Sequence, residues 1–168
     1  MVKGLRVTVD KTKDVKKALA ALTENQVLVG IPSDPKNNKR KPDVDGKQPK
    51  ATNAEIGYRN ENGEPEYNIP ARPHLVPGVR DALPQTTNYL KQGAQLALSG
   101  KPESVDKALN AAGLAAVNAV RAKLTNGPFA PLSERTLEAR RAKGRTGESP
   151  LIDTTQYRTA QTYVIRKR

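Results

Sequence analysis

Apolar and polar positions alternate at Leu5, Val7 and Val9 against Arg6, Thr8 and Asp10, the two-residue period of a strand with one buried face. Asp14 then stands where it can cap a helix whose Val15, Ala18, Leu19 and Leu22 form one apolar stripe. The run Val27-Leu28-Val29-Gly30-Ile31, closed by Pro32, has no polar alternation and predicts a strand covered on both faces.

From Ser33 to Lys50 the periodic apolar residues stop, and Pro, Asn, Asp, Gly and Lys take over. Such a segment predicts a mobile loop or arm that can be shortened between Lys36 and Lys47 without unfolding the domain. Thr52 opens a short helix through Ala54, Ile56 and Gly57, which Asn62-Gly63-Glu64-Pro65 ends. The prolines of Ile69-Pro70-Ala71-Arg72-Pro73 force an extended chain.

Leu75, Val79, Leu83, Leu90, Ala94 and Ala97 keep helical spacing, interrupted by Pro77 and Pro84, so a broken helix is expected over 74–98. Val105, Leu109, Ala112, Ala116, Val120 and Leu124 predict a second long helix over 102–125, with Ala108, Ala111, Ala115, Ala119 and Ala122 as a close-packing face. Ser133 caps a short basic helix reaching about Lys143, and Gly144 to Pro150 is irregular. Asp153 and Gln156 have capping-box spacing for one more helical turn, before Ala160 to Ile165 alternate as a last strand. The sum is a single α+β domain over residues 1–168. Its small, mostly antiparallel sheet, from strands 4–10, 26–31 and 159–166, packs against two long helices, with 33–50 as an extended basic loop.

Composition narrows the function. Apolar residues make up 36% and aromatic residues 4%, so the core is a modest aliphatic one. The absence of cysteine excludes disulfides and thiolate metal sites. No stretch has signal-peptide or membrane-span character, and a chain off the membrane is expected. The single histidine, His74, stands between prolines, which rules out histidine-pair chemistry and points to a partly buried structural residue. Glu61, Glu64 and Glu66 resemble a hard-cation or acid–base cluster, but their turn-rich setting reads as a solvated acidic loop. Gly100-Lys101 fails the phosphate-loop pattern at Gln95 and Pro102, and Gly144-Arg145-Thr146-Gly147 lacks a dinucleotide fingerprint's strand and long helix. No enzyme activity, cofactor or metal is expected.

Lys and Arg total 29 against 17 acidic residues, a net charge of +12. The basic residues group at 36–50, at 135–145 and at Arg166-Lys167-Arg168. Partners are therefore polyanions or acidic protein surfaces. Without Trp and with one Phe, the stacking platform of a single-strand or RNA reader is missing. A basic, non-specific nucleic-acid-binding protein remains the alternative reading.

Five blocks occur in a recognisable order: VLVGIP at 27–32, NAEIG at 53–57, IPARP at 69–73, PLS with Thr136-Leu137 from 131, and PLIDT at 150–154. Together they resemble the tail-completion or virion-morphogenesis family of tailed bacteriophages, with IPARP and PLIDT the specific pair. The chain departs from that pattern at His74, where an aromatic often follows ARP, and at Thr155, where a glycine often follows Asp-Thr. The resemblance implies a structural neck protein that assembles with itself as a ring, a hexamer by expectation. That ring would join the head-side connector or head-closure protein to the tail tube or tail terminator, in the virion and, during assembly, in the host cytoplasm. Candidate subunit contacts are Ile69, Pro70, Arg72 and Pro73, with Lys39, Arg40 and Lys41 of the arm; Pro150, Leu151, Asp153 and Thr154 carry the fold motif. Arg72 suits bidentate pairing with a carboxylate, within the fold or across an interface. Non-specific contact with phage DNA is a further expected role of the basic surface.

Overall fold

A computed structural model describes residue 10 and residues 12–168. The strand expected over 4–10 lies, except for Asp10, outside these. Among the described residues the fold is α+β, with eight α-helices and a two-stranded antiparallel ribbon. The order is α1 (Thr12–Glu24), β1 (Asn25–Gly30), α2 (Pro35–Asn38), α3 (Asn53–Asn62), α4 (Leu75–Asp81), α5 (Leu83–Leu98), α6 (Ser104–Asn126), α7 (Glu134–Arg141), α8 (Gln156–Ala160) and β2 (Thr162–Lys167).

Helix α6 is the hub. Val105, Leu109, Ala112, Ala116, Val120 and Leu124 are all buried, the stripe that the spacing predicts. Glycines let its neighbours come close: a Cβ at Gly78 of α4 would stand 2.7 Å from the Val120 Cα. A side chain at Gly113 would collide with the Tyr163 ring of β2. Ala18, Ala97, Val105 and Leu109 form one apolar cluster, with Val27 and Ile165 of the ribbon packed on it. The helix break falls at Ala82, with Pro84 in the first turn of α5, where a missing N–H costs nothing.

The ribbon pairs Val27 with Ile165, Leu28 with Val164 and Val29 with Tyr163. Strand β1 is therefore not covered on both faces: Leu28 is 40% exposed, and among the described residues β2 is its only neighbour. The continuous apolar run arises because the outward Leu28 pairs with the equally apolar Val164, not because a second layer covers it.

Three local expectations change. Helix α1 begins at Thr12, whose N–H bonds the Asp10 carboxylate at 2.9 Å; Asp14 lies in the first turn rather than at the cap. Asp153 does not cap α8, because Thr155 occupies that position and offers no side-chain bond. The 33–50 segment is no free arm. It contains α2, capped by Asp34, and is tied to the body by polar bonds described below.

Candidate functional site

The five blocks that carry the family resemblance meet in one region, which is the candidate site. Its floor is a second apolar cluster in which Leu124, Leu151 and Tyr157 are buried, with Ile31, Ile56, Phe129 and Ile152 packed around them. Residues 31, 56 and 151–152 belong to three separate blocks. Burying them together is what makes these distant segments one unit.

Local chemistry places the rest. Thr52 and Glu55 form a reciprocal capping box that starts α3, as the Thr52 signal predicts. Gly63 ends that helix at φ 75°, where a Cβ would lie 2.8 Å from the Ala71 nitrogen; glycine is needed for both reasons. The chain then doubles back through a Glu64–Ile69 bridge and runs through 70–73 without helix or strand.

This return delivers Arg72 and His74 into the interior. Arg72 is 6% exposed and donates from Nε to the Ala130 carbonyl at 3.0 Å and from Nη2 to the Pro131 carbonyl at 3.1 Å. Its fork reads two successive carbonyls, that of Ala130 just before the 131 block and that of Pro131 within it, not the carboxylate expected for it. Arg72 thus joins two blocks of this chain and is withdrawn from the surface. Burial lowers its pKa, and the neighbouring Arg140 adds to that.

His74 is fully buried. Its Nδ1 lies 2.8 Å from the Arg72 carbonyl and its Nε2 lies 2.5 Å from the Tyr157 hydroxyl. Beside it, Glu61 accepts backbone N–H bonds from His74, Leu75 and Val76 at 2.8, 2.9 and 3.0 Å. These are orphan donors at the start of α4, so Glu61 is that helix's cap, delivered from the end of α3. The solvated acidic loop expected here therefore does not include Glu61. Partial burial pushes its carboxyl upward, but the three N–H bonds and His74 outweigh it and hold the pKa below the ordinary glutamate range. Burial drives the Tyr157 phenol in the opposite direction, far above its usual range.

On the far side, Arg140 is buried at the end of α7 and donates to the Gly147 and Ser149 carbonyls at 2.7 and 3.0 Å. Asp153 lies 3.6 Å from Arg140 and 2.8 Å from Arg145. Arg145 also pairs with Asp43, which takes Lys143 at 2.5 Å. These pairings draw Asp153 away from α8. They also hold the 33–50 segment in place, together with Arg40 on Asn53 at 2.9 Å and Asn53 on the Asn37 carbonyl at 2.8 Å. Excising residues 36–47 would strip Arg145 and Asn53 of these partners, so the segment is part of the folded unit.

The remaining candidates divide by exposure. Pro70 and Pro73 are exposed and Ile69 is half-buried, while Lys39 and Lys41 are exposed and Arg40 is turned toward Asn53. Pro150 and Thr154 flank the buried Leu151. Asn53, Arg140 and Tyr157 are central residues that sequence reasoning did not select, and Glu61 it read as part of a solvated acidic loop. Thr52-Asn53 at a helix start marks Asn53 only as a helix residue, and nothing local marks Arg140 or Tyr157.

Chemically, the arrangement holds shape: each buried charge or ring nitrogen meets a partner of this chain, and His74 offers no exposed atom to a substrate. Among the described residues no group of three His, Asp or Glu side chains is placed to hold a metal ion, and no helix is long and apolar enough to cross a membrane. Comparison with family models, curated proteins and solved structures returns no match for this chain.

Proposed function

We propose that this chain is a structural neck protein of a tailed bacteriophage, forming a ring at the head–tail junction and working by binding and assembly rather than turnover. The observation that carries this reading is the convergence of the resembling blocks: VLVGIP, NAEIG and PLIDT share one apolar cluster, and the IPARP arginine is bonded to the block beginning at Pro131. Motifs shared by chance have no reason to meet in space. Blocks that preserve one fold do.

The surface suits assembly. The outward pair Leu28–Val164, and Leu83, Leu96, Leu98 and Leu114 on α5 and α6, expose apolar area that subunit contacts can cover. In this reading α5 and α6 are the two long helices backing the ribbon. Pro70 and Pro73 are the outward parts of the candidate segments that face a neighbour. Partners above and below the ring are the connector or head-closure protein and the tail tube or tail terminator, with the virion as location.

The test is solution mass by light scattering over a hundredfold concentration range, with negative-stain imaging of the heaviest species. A single closed oligomer with ring-shaped images is the expected result. A monomer at every concentration sinks the ring.

A further inference from the structure

The strongest unassigned feature is a basic basin between the 36–50 segment and the start of α8. It comprises a cavity of about 530 Å³ and, across the chain at 41–43, a second of about 400 Å³. Eight basic side chains and three acidic ones line the two together. All three carboxylates are already paired, Asp43 with Lys143 and Arg145, Asp45 with Lys47, and Asp153 with Arg140 and Arg145. Lys36, Lys39, Lys41 and Lys50 are exposed, and among the described residues none of them pairs with a carboxylate. Of the surplus of five charges, four therefore rest on outward ammonium groups and the fifth on Arg40, which is turned toward Asn53.

The backbone beneath them is held. The Lys41 N–H bonds Gln156 Oε1 at 2.7 Å, and Gln48 Nε2 bonds the Arg40 carbonyl at 2.6 Å. The lysines are thus presented by a fixed surface rather than by a free tail, which lowers the ordering cost of binding.

We infer that this basin docks the phosphate backbone of duplex DNA. Its lining contains no aromatic side chain, so single strands find no stacking platform. An acidic protein partner fits less well, because protein interfaces deplete lysine and anchor on buried aromatic residues or arginine. Lysine acts on phosphate as a point charge, independent of base sequence. The contact is sequence-tolerant and salt-sensitive. It stands apart from the ring reading: a ring without duplex affinity overturns only this inference, and duplex affinity in a permanent monomer overturns only the other.

The experiment is fluorescence anisotropy with a mixed-sequence labelled duplex and the full chain, titrated at several salt concentrations. The variant K36Q/K39Q/K41Q/K50Q is compared with K13Q/K16Q/K17Q/K107Q, which removes equal charge from exposed sites on α1 and α6. The expected result is wild-type binding that weakens steeply with salt. The basin variant should lower the slope of log affinity against log salt by about 3 to 4, near 0.9 for each lost phosphate contact, and the control variant by much less. Thermal melts verify folding; if the quadruple variant melts early, K36Q/K39Q and K41Q/K50Q each should carry about half the change in slope. Equal loss in basin and control variants overturns the proposal, as does unchanged binding by the basin variant, equal affinity for polyglutamate, or no binding by the wild type.

Discussion

The Nε2 atom of His74 lies 2.5 Å from the Tyr157 hydroxyl, with the two rings edge to face at 75°. The Arg72 carbonyl at Nδ1 can only accept, so Nδ1 carries a proton, and in the neutral ring Nε2 receives the Tyr157 O–H. The tautomer follows from the fold. Because both groups are buried, removing either partner leaves the other unsatisfied.

Tyr157→Phe and His74→Phe should each cost about 1–3 kcal/mol, since each strands a buried polar atom. The double variant should cost less than the sum by about 1–2 kcal/mol, because the stranded partner disappears with it. Urea unfolding of the four proteins measures this coupling. Strict additivity would show that the short contact contributes nothing.

Glu61 predicts a pH signature. Its folded-state pKa lies below the unfolded value, so its stabilisation is fully present above the unfolded pKa of about 4.3 and is lost as pH falls through the folded one. Glu61→Gln should destabilise the protein by about 1–2 kcal/mol at neutral pH, through weaker capping of α4. Toward pH 3 the wild type should converge on the variant. Parallel stability curves over that range would remove Glu61 from the role of charged cap.

How far the chain could be read in advance depends on the range of the forces. The Thr52–Glu55 box, the Ser133 cap and the α6 stripe act within a turn or two, and spacing reveals them. The ribbon's two strands are legible for the same reason. Glu61 serves a helix that starts 14 residues later, and Lys143 meets Asp43 across 100 positions. Neither contact leaves a local period. The 33–50 segment reads as an arm because apolar periodicity is the usual sign of packing, whereas its order rests on Arg40, Asp43 and Asn53. Asp153 has the right spacing for a cap but stands nearer two arginines, and the charge pairs prevail.

Gly78 tests the close approach of α4 to α6. Alanine is the better helix former by about 1 kcal/mol, and on an open helix Gly78→Ala would stabilise. Here the new methyl would meet the Val120 backbone at 2.7 Å, which cannot rotate away as a side chain would. The expected outcome is a net loss of about 1–3 kcal/mol, read as a lower melting temperature. A gain would mean that α4 can slide on α6 at little cost.

Thr155 carries the clearest local strain. Its φ of 59° lies in the left-handed region, which a β-branched residue rarely enters and which costs an L-residue about 1–2 kcal/mol. Glycine enters this region without that cost. Thr155 offers α8 no side-chain cap, while its carbonyl, which accepts from the Thr159 N–H at 2.9 Å, would survive substitution. Thr155→Gly should therefore relieve strain without losing a bond, offset in part by the extra freedom of glycine in the unfolded chain. Thr155→Asn avoids that offset, because asparagine tolerates the left-handed region. Both should stabilise by about 0.5–1 kcal/mol, a melting-temperature rise of about 1–4 °C, while Thr155→Val should bring no gain. A Val variant as stable as the Gly variant would show that the side chain, and not the backbone angle, is what the site resists.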